Sequence, residues 1–342
     1  MTKAPDVADL TCEHSGKYWV RVLAKYREPS HPRSIAELAL TLIPFAALIG
    51  LAWWALSVSY LLAGAISALN GAFLVRLFII QHDCGHNAFF RNRTVNDWTG
   101  RLLGVLTLTP YDVWRQTHAI HHASTGNLDR RGIGDLPVQT LAEYRAAPWR
   151  KRLAYRIYRN PFFLFGLAPA WLFFVQNRLP VGLMGSGRRY WVSAMATNLA
   201  IAALVGAGIY LSQGLHVLFL ILPMALVGAS AGVWLFYVQH QFEDAHWNRE
   251  ADWQIHDAAL HGSSHYVLPP VLKWFSGNIG IHHVHHLYSR IPFYRLTEVL
   301  RDHPALDRAQ RLTLRESLHC ARLHLWDERS RKLLSFAEAR AA

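Results

Sequence analysis

Three short stretches of this chain place histidines at helical spacing. His118, His121 and His122 stand at i, i+3 and i+4 in Trp114-Arg-Gln-Thr-His118-Ala-Ile-His121-His122, and His282, His285 and His286 repeat that spacing. A sparser pair, His82 and His86, stands upstream in His82-Asp83-Cys84-Gly85-His86. On a helix each set projects from one face. Clustered imidazoles make a poor packing motif, because they need partners when buried and repel when charged. Metal is their natural common partner, and eight ligands suit two ions better than one. His283 lies about 100° around the helix from its neighbours and is left out of the ligand set. Imidazole suits iron, zinc, copper and nickel, and the absence of thiolates at this spacing speaks against a structural zinc site. Asp83, Asp112, Asp129, Asp135, Glu243 and Asp244 flank the boxes as candidates to fix the imidazole tautomers.

Such boxes need rigid elements to bring them together, and the composition says which. The 342 residues are 52% apolar and 17% charged, with the apolar residues gathered into blocks of membrane-spanning length. The fold expected is an all-α membrane protein: four transmembrane helices with a cytosolic helical cap holding a di-metal site. Residues 1–34 form a polar cytosolic N-terminal segment, 35–335 the integral membrane domain, and 336–342 a tail. The spans expected are 35–57, 60–81, 191–211 and 216–238, with the cap built from 82–190 and 239–335. Turns at Ser57–Ser59 and Ser212–Leu215 carry no Lys or Arg, whereas their flanks do, so the turns face outward. His216 falls in an outer turn and is excluded as a ligand.

Arg76, near the inner end of the second span, is placed to snorkel or to pair. The piece Leu102–Leu108 is too short to span. Pro161–Gln176 is also short, contains Pro169 and is bracketed by Arg159 and Arg178, so it reads as interfacial or re-entrant. Parity agrees, since an even number of crossings keeps every box on one side. The basic stretch Arg308–Arg331 reads as helical. The formal charge of +12 sits between the apolar blocks, where it suits a cytosolic membrane face. Cys12, Cys84 and Cys320 form no CxxC or disulfide framework, and no cleavable signal peptide is visible, so the first apolar block would act as signal anchor. No nucleic-acid partner is expected.

Other residues of the chain admit competing readings. Glu243/His246 and Glu316/His319 are E-x-x-H pairs of the kind used in carboxylate di-iron bundles, but two further facing glutamates are missing. His246, His256, His261 and His265 read as ordinary polar residues. Arg130-Arg131 reads as a solvated, positive-inside pair that also suits a lipid phosphate. A histidine-lined metal transporter would need ligands along the spans, where only His216 stands toward the outer face.

The three boxes, H-x3-H, H-x2-HH and H-x2-HH, resemble those of the membrane fatty acid desaturases, a di-iron family. Gly126–Asp135, Tyr155-Arg-Ile-Tyr-Arg-Asn-Pro161, Phe236-Tyr-Val-Gln-His-Gln-Phe-Glu243 and Ile291-Pro-Phe-Tyr-Arg-Leu296 are similar to the bacterial branch containing acyl-lipid omega-6 (delta-12) desaturases. The likeness covers residues 35–335. It implies four spans under a cytosolic cap and two iron ions held by His82, His86, His118, His121, His122, His282, His285 and His286. In acyl-CoA members a ninth histidine ends the fourth span, and His240 occupies that place. An asparagine four residues earlier approaches the metal through water in those members; here the position is Phe236.

The activity implied is O2-dependent insertion of a cis double bond into the fatty acyl chain of a membrane lipid or an acyl thioester. An unactivated methylene offers an acid or base nothing to act on, so the oxidant must come from metal and O2. No flavin, nicotinamide or haem fingerprint is present, so electrons are expected from a separate ferredoxin-like or cytochrome donor. Hydroxylation or ketolation of a lipid or terpenoid on the same metal site is the alternative within the class. The expected location is the inner (cytoplasmic) membrane, with the active site on the cytosolic side.

Overall fold

The structure, a computed structural model, describes residues 16–342; Cys12 and the rest of the first 15 residues lie outside the described residues. A short helix, α1 (Gly16–Leu23), precedes two long apolar ones, α2 (His31–Ala55) and α3 (Tyr60–Gly85). Pro32 opens α2, where a missing N–H costs nothing, and the Ser59 hydroxyl accepts from the Leu62 N–H to cap α3. In the cap follow α4 (Arg93–Leu106), α5 (Tyr111–Ser124), α6 (Leu141–Ala146) and α7 (Trp149–Tyr158). A π-helical turn, Phe163–Leu167, leads into α8 (Ala168–Phe174). The second long pair is α9 (Arg188–Leu211) and α10 (Leu218–His240); α11 (Ile255–His261) and α12 (Pro270–Phe275) precede α13 (His282–Leu287), which carries the third box.

Four helices among the described residues are long and apolar enough to cross a membrane: His31–Ala55, Tyr60–Gly85, Arg188–Leu211 and Leu215–His240. Each extends a few residues beyond the span expected at one end or both, because the helix continues into the cap after the hydrophobic stretch stops. Pro161–Gln176 is not among them; its helix is broken by the π turn and is too short.

The most buried of the four is α3, which packs along both α2 and α10. Small residues allow the close crossing with α10. A Cβ on Gly71 would meet Val227 at 2.9 Å, and one on Gly228 would meet Leu74 at the same distance. Arg76 does pair. Its guanidinium is buried between Glu37 of α2, the Thr41 hydroxyl at 3.2 Å and the Trp274 carbonyl, and it lies 3.8 Å from the Trp274 ring centroid.

The cap is not purely helical. Arg308–Arg331, expected as helix, folds as a strand β3 (Arg311–Thr313), a helix Leu314–Cys320 and the first arm of a hairpin. That arm, β4 (Leu325–Asp327), pairs antiparallel with β5 (Lys332–Leu334) and parallel with β1 (Gln139–Thr140). Burial of Leu323, Leu325, Trp326 and Leu333 favours the hairpin, and Asp327 closes it by accepting from the Ser330 N–H and hydroxyl. Parallel to β3 runs β2 (His265–Val267).

The segments taken as head and tail are also tied in. Tyr26 is buried and donates to Asp302 at 2.8 Å, while Phe336 packs against Tyr144 and Tyr155. The boundary expected at 335 therefore cuts through a packed cluster. Cys84 and Cys320 are free and buried.

Candidate metal centre

Four elements deliver the histidines. The last turn of α3 carries His82, and His86 caps it; α5 carries His118, His121 and His122. The last residue of α10 is His240, and the six-residue α13 carries His282, His285 and His286. Together they form two groups. His82, His86, His118, His122 and His285 make one, and His121, His240, His282 and His286 the other, with the ligand atoms of each group within 4.8 Å of one another. The i, i+4 pair of α5 belongs to the first group and its i+3 member to the second; in α13 the division is reversed. The groups adjoin where His122 stacks on His286, ring centroids 4.1 Å apart.

The geometry fits cations between the rings. In the second group Nε2 of His240 lies 3.1 Å from Nε2 of His121 and 3.0 Å from that of His282, which lies 3.1 Å from that of His286. In the first group His122 Nε2 lies 3.1 Å from Nε2 of both His118 and His285. Two nitrogens at right angles around an ion with bonds of about 2.1 Å stand about 3.0 Å apart.

Hydrogen bonding explains why those nitrogens are free for metal. His121 Nδ1 donates to Asp135 Oδ1 at 2.5 Å, His240 Nδ1 faces the Gly262 carbonyl at 3.3 Å, and His82 Nδ1 faces Asp83 Oδ1 at 3.3 Å. Each contact holds the proton on Nδ1 and leaves a lone pair on Nε2. Nε2 of His82 and of His86 are buried without any protein partner. Lone pairs converging at such distances repel unless a cation sits among them. Burial, reinforced by neighbouring imidazoles, holds His86, His118, His122, His282, His285 and His286 well below the ordinary imidazole range, in the neutral form that metals bind.

Of the six flanking carboxylates, Asp83 and Asp135 touch the histidines. Asp83 also accepts the Phe293 N–H at 2.7 Å, tying the first box to the Ile291–Leu296 stretch. Asp135 reaches His121 because Gly134, at φ +83°, lets its loop lie on α5, where a Cβ would stand 2.5 Å from the Thr117 carbonyl. The others are engaged elsewhere or exposed: Asp112 with Arg101, Asp129 with Arg249, Glu243 near Lys332, and Asp244 on the surface.

His283 stands outside both groups. Its Nε2 faces the Leu306 carbonyl at 2.9 Å, and burial lowers its pKa to about 3. His216 stacks on Tyr60 at the outer turn. His246 stacks on His261, and His265 faces the Asp307 carbonyl. Glu316 caps its own helix with Thr313, so neither E-x-x-H pair enters the centre. Arg131 forms a bidentate pair with Glu143 and Arg130 pairs with Glu250, so the Arg130-Arg131 pair is structural.

Sequence reasoning assigned no contact to Trp114 and noted Phe236 only as standing where some relatives have asparagine. Trp114 stacks on His118 with centroids 4.7 Å apart, and the Phe236 ring lies 5.0 Å from His121 and 5.2 Å from His240. Trp114, four residues before His118, carried a usable i, i+4 signal. Phe236 has the same spacing from His240, and its apolar ring covers the four-histidine group.

A sequence model described as "Fatty acid desaturase" matches residues 57–317. A "Fatty acid desaturase" of Bacillus subtilis is 42% identical over 96% of this chain and 93% of its own. An "sn-1 acyl-lipid omega-3 desaturase (ferredoxin)" of Synechocystis sp. is 29% identical over 67% of this chain and 63% of its own. An "sn-1 oleoyl-lipid 12-desaturase" of Synechocystis sp. is 26% identical over 79% of this chain and 75% of its own.

Proposed function

The chain belongs to the fatty acid desaturase family, and from that premise we propose that it places a cis double bond at the omega-6 (delta-12) position of an acyl chain carried by a membrane lipid. It is an oxidoreductase with four apolar helices suited to a membrane. The lipid-borne substrate and the position are supported by the oleoyl-lipid 12-desaturase relative. The reading rests on one observation: nine imidazoles converge in two adjoining groups with Nε2 atoms at ligand spacing.

In this reading His82, His86, His118, His122 and His285 hold one iron, and His121, His240, His282 and His286 the other. Two iron ions so bound would supply, from O2 with two electrons delivered by a separate donor and two protons from solvent, the oxidising power that removes two hydrogens from adjacent methylenes, with both oxygen atoms leaving as water. The protein orients this chemistry. Asp135 and Asp83 fix the tautomers of His121 and His82, and Asp83 holds the Phe293 backbone against the first box. Trp114 and Phe236 close the rings over with apolar surface. A ferredoxin-like donor is supported by the ferredoxin-linked relative. The Lys/Arg-poor turns favour a cap on the cytosolic side of the inner membrane.

Expression in a bacterium without polyunsaturated lipids tests the reading. Fatty-acid profiles should gain cis dienes made from monounsaturated chains, and activity in isolated membranes should need O2 and reduced ferredoxin. Double bonds elsewhere in the chain would overturn the position. Hydroxy or keto products without new double bonds would overturn desaturation as this protein's own reaction.

A further inference from the structure

We propose that α7 is a membrane-docking helix that seats an apolar ridge among the anionic lipids of the leaflet next to the cap. Trp149, Leu153 and Ile157 stand at i, i+4 and i+8 and are 63%, 48% and 51% exposed. At 3.6 residues per turn they form a ridge about 80° wide. On the opposite face Tyr155 is the one buried residue of the helix, its hydroxyl donating to the His324 carbonyl at 2.5 Å, while Lys151 is exposed. The ridge is therefore an apolar strip separate from the Tyr155 anchor that ties the helix to the cap. Arg150 and Arg152 project on either side of it, both exposed, and no carboxylate among the described residues pairs with them.

The position of α7 supplies the occupant. The π turn that follows it packs on α10, where the Phe165 ring lies 4.9 Å from Trp234 and 5.2 Å from Tyr237. Trp234 is six residues before His240, so this contact lies within about 9 Å of the inner end of a span. Phe162, Leu167 and Trp171, which follow α7 in the chain, are exposed as well. A helix at that level, with a ridge of Trp, Leu and Ile between two arginines, matches a bilayer interface. The ridge enters the acyl boundary and the guanidinium groups reach lipid phosphates. An acidic protein would answer the arginines but leave the ridge uncovered.

Docking here bears on the metal centre through Arg159, the C-cap of α7. Its Nη2 donates to the Tyr237 hydroxyl and to Gln241 Oε1, each at 2.9 Å, on either side of His240. The inference rests on the proposed topology, and its test separates the two.

Full-length protein carrying Cys12→Ser is placed in phosphatidylcholine nanodiscs with and without phosphatidylglycerol. Single spin labels go on Leu153→Cys, on Leu204→Cys in α9 and on Arg329→Cys at the tip of the cap hairpin, and are read by accessibility to O2 and to a water-soluble nickel chelate. The Leu153 label should be O2-accessible and nickel-protected like Leu204, more so with phosphatidylglycerol. A cation at an anionic surface is worth about fivefold in partitioning, so Arg150→Gln with Arg152→Gln should shift the docking ratio about thirtyfold and remove the phosphatidylglycerol dependence. A Leu153 label as nickel-accessible as Arg329, with Leu204 lipid-buried, overturns the inference. A water-exposed Leu204 overturns the four-span reading instead. Protection of Leu153 that needs added ferredoxin assigns the ridge to a donor protein and overturns lipid docking. Lipid burial without phosphatidylglycerol dependence overturns the anionic assignment.

Discussion

At the scale of residues, the division of labour among the imidazoles is set by which nitrogen is free. Asp135 takes the Nδ1 proton of His121 and turns its Nε2 toward the four-histidine group. Asp135→Asn keeps the shape but can no longer hold that proton as strongly. Metal affinity should fall about 10–100-fold, read by competition with a coloured chelator, whereas Asp129→Asn, whose carboxylate serves Arg249, should leave affinity unchanged. Alanine at His82, His86, His118, His121, His122, His282, His285 or His286 should abolish desaturation and leave fewer than two irons per chain by metal analysis. His283→Ala should keep both irons, because that ring bonds to the Leu306 carbonyl and faces neither group. An iron-replete, active His285→Ala would break the ligand assignment, and an iron-poor His283→Ala would break the facial argument.

At the scale of elements, α3 is the hub, and its junctions use two devices. Against α10 it relies on the absence of side chain, at Gly71 and Gly228. Against α2 and α12 it relies on Arg76, whose guanidinium bonds Glu37, Thr41 and the Trp274 carbonyl and stacks on the Trp274 ring. A buried pair is costly to break because it leaves one charge without its partner. Glu37→Ala should therefore destabilise the fold by about 3–5 kcal/mol, measured by unfolding in detergent. Replacing both partners with apolar residues of similar volume, Glu37→Leu with Arg76→Met, should restore much of that loss. An unaltered Glu37→Ala would show that Arg76 is held by the carbonyl and the ring alone.

At the scale of the whole molecule, the spans serve to bring two cap helices and two span ends to a common point. His82 ends the second crossing and His240 the fourth, so the two ends meet beside α5 and α13 when the crossings are even in number. A cysteine in place of Ser212 should react with a membrane-impermeant thiol reagent added from outside, and one in place of Arg329 should not. Reversed labelling would sink the four-span topology, and labelling of both would point to an even number of crossings between them.

Much of this was legible in the sequence because it depends on local spacing. Residues at i, i+3 and i+4 share a helix face in any surroundings, and about 20 apolar residues span a bilayer wherever they occur. The histidines, the four spans and the family resemblance are all of that kind, and Arg76 announced its need for a partner by its position. The five-and-four division is different. His118 and His121 lie on the same face of α5 yet belong to different groups, because the end of α3 brings His82 and His86 to one and the end of α10 brings His240 to the other. Which flanking carboxylates matter was likewise hidden, since Asp135 reaches His121 through a glycine-dependent loop while Asp112 is held by Arg101. The strands within Arg308–Arg331 form because β2 and β1, far away in sequence, offer β3 and β4 edges to pair with. Local spacing sets what a segment can present; the long-range packing of segments decides what it meets.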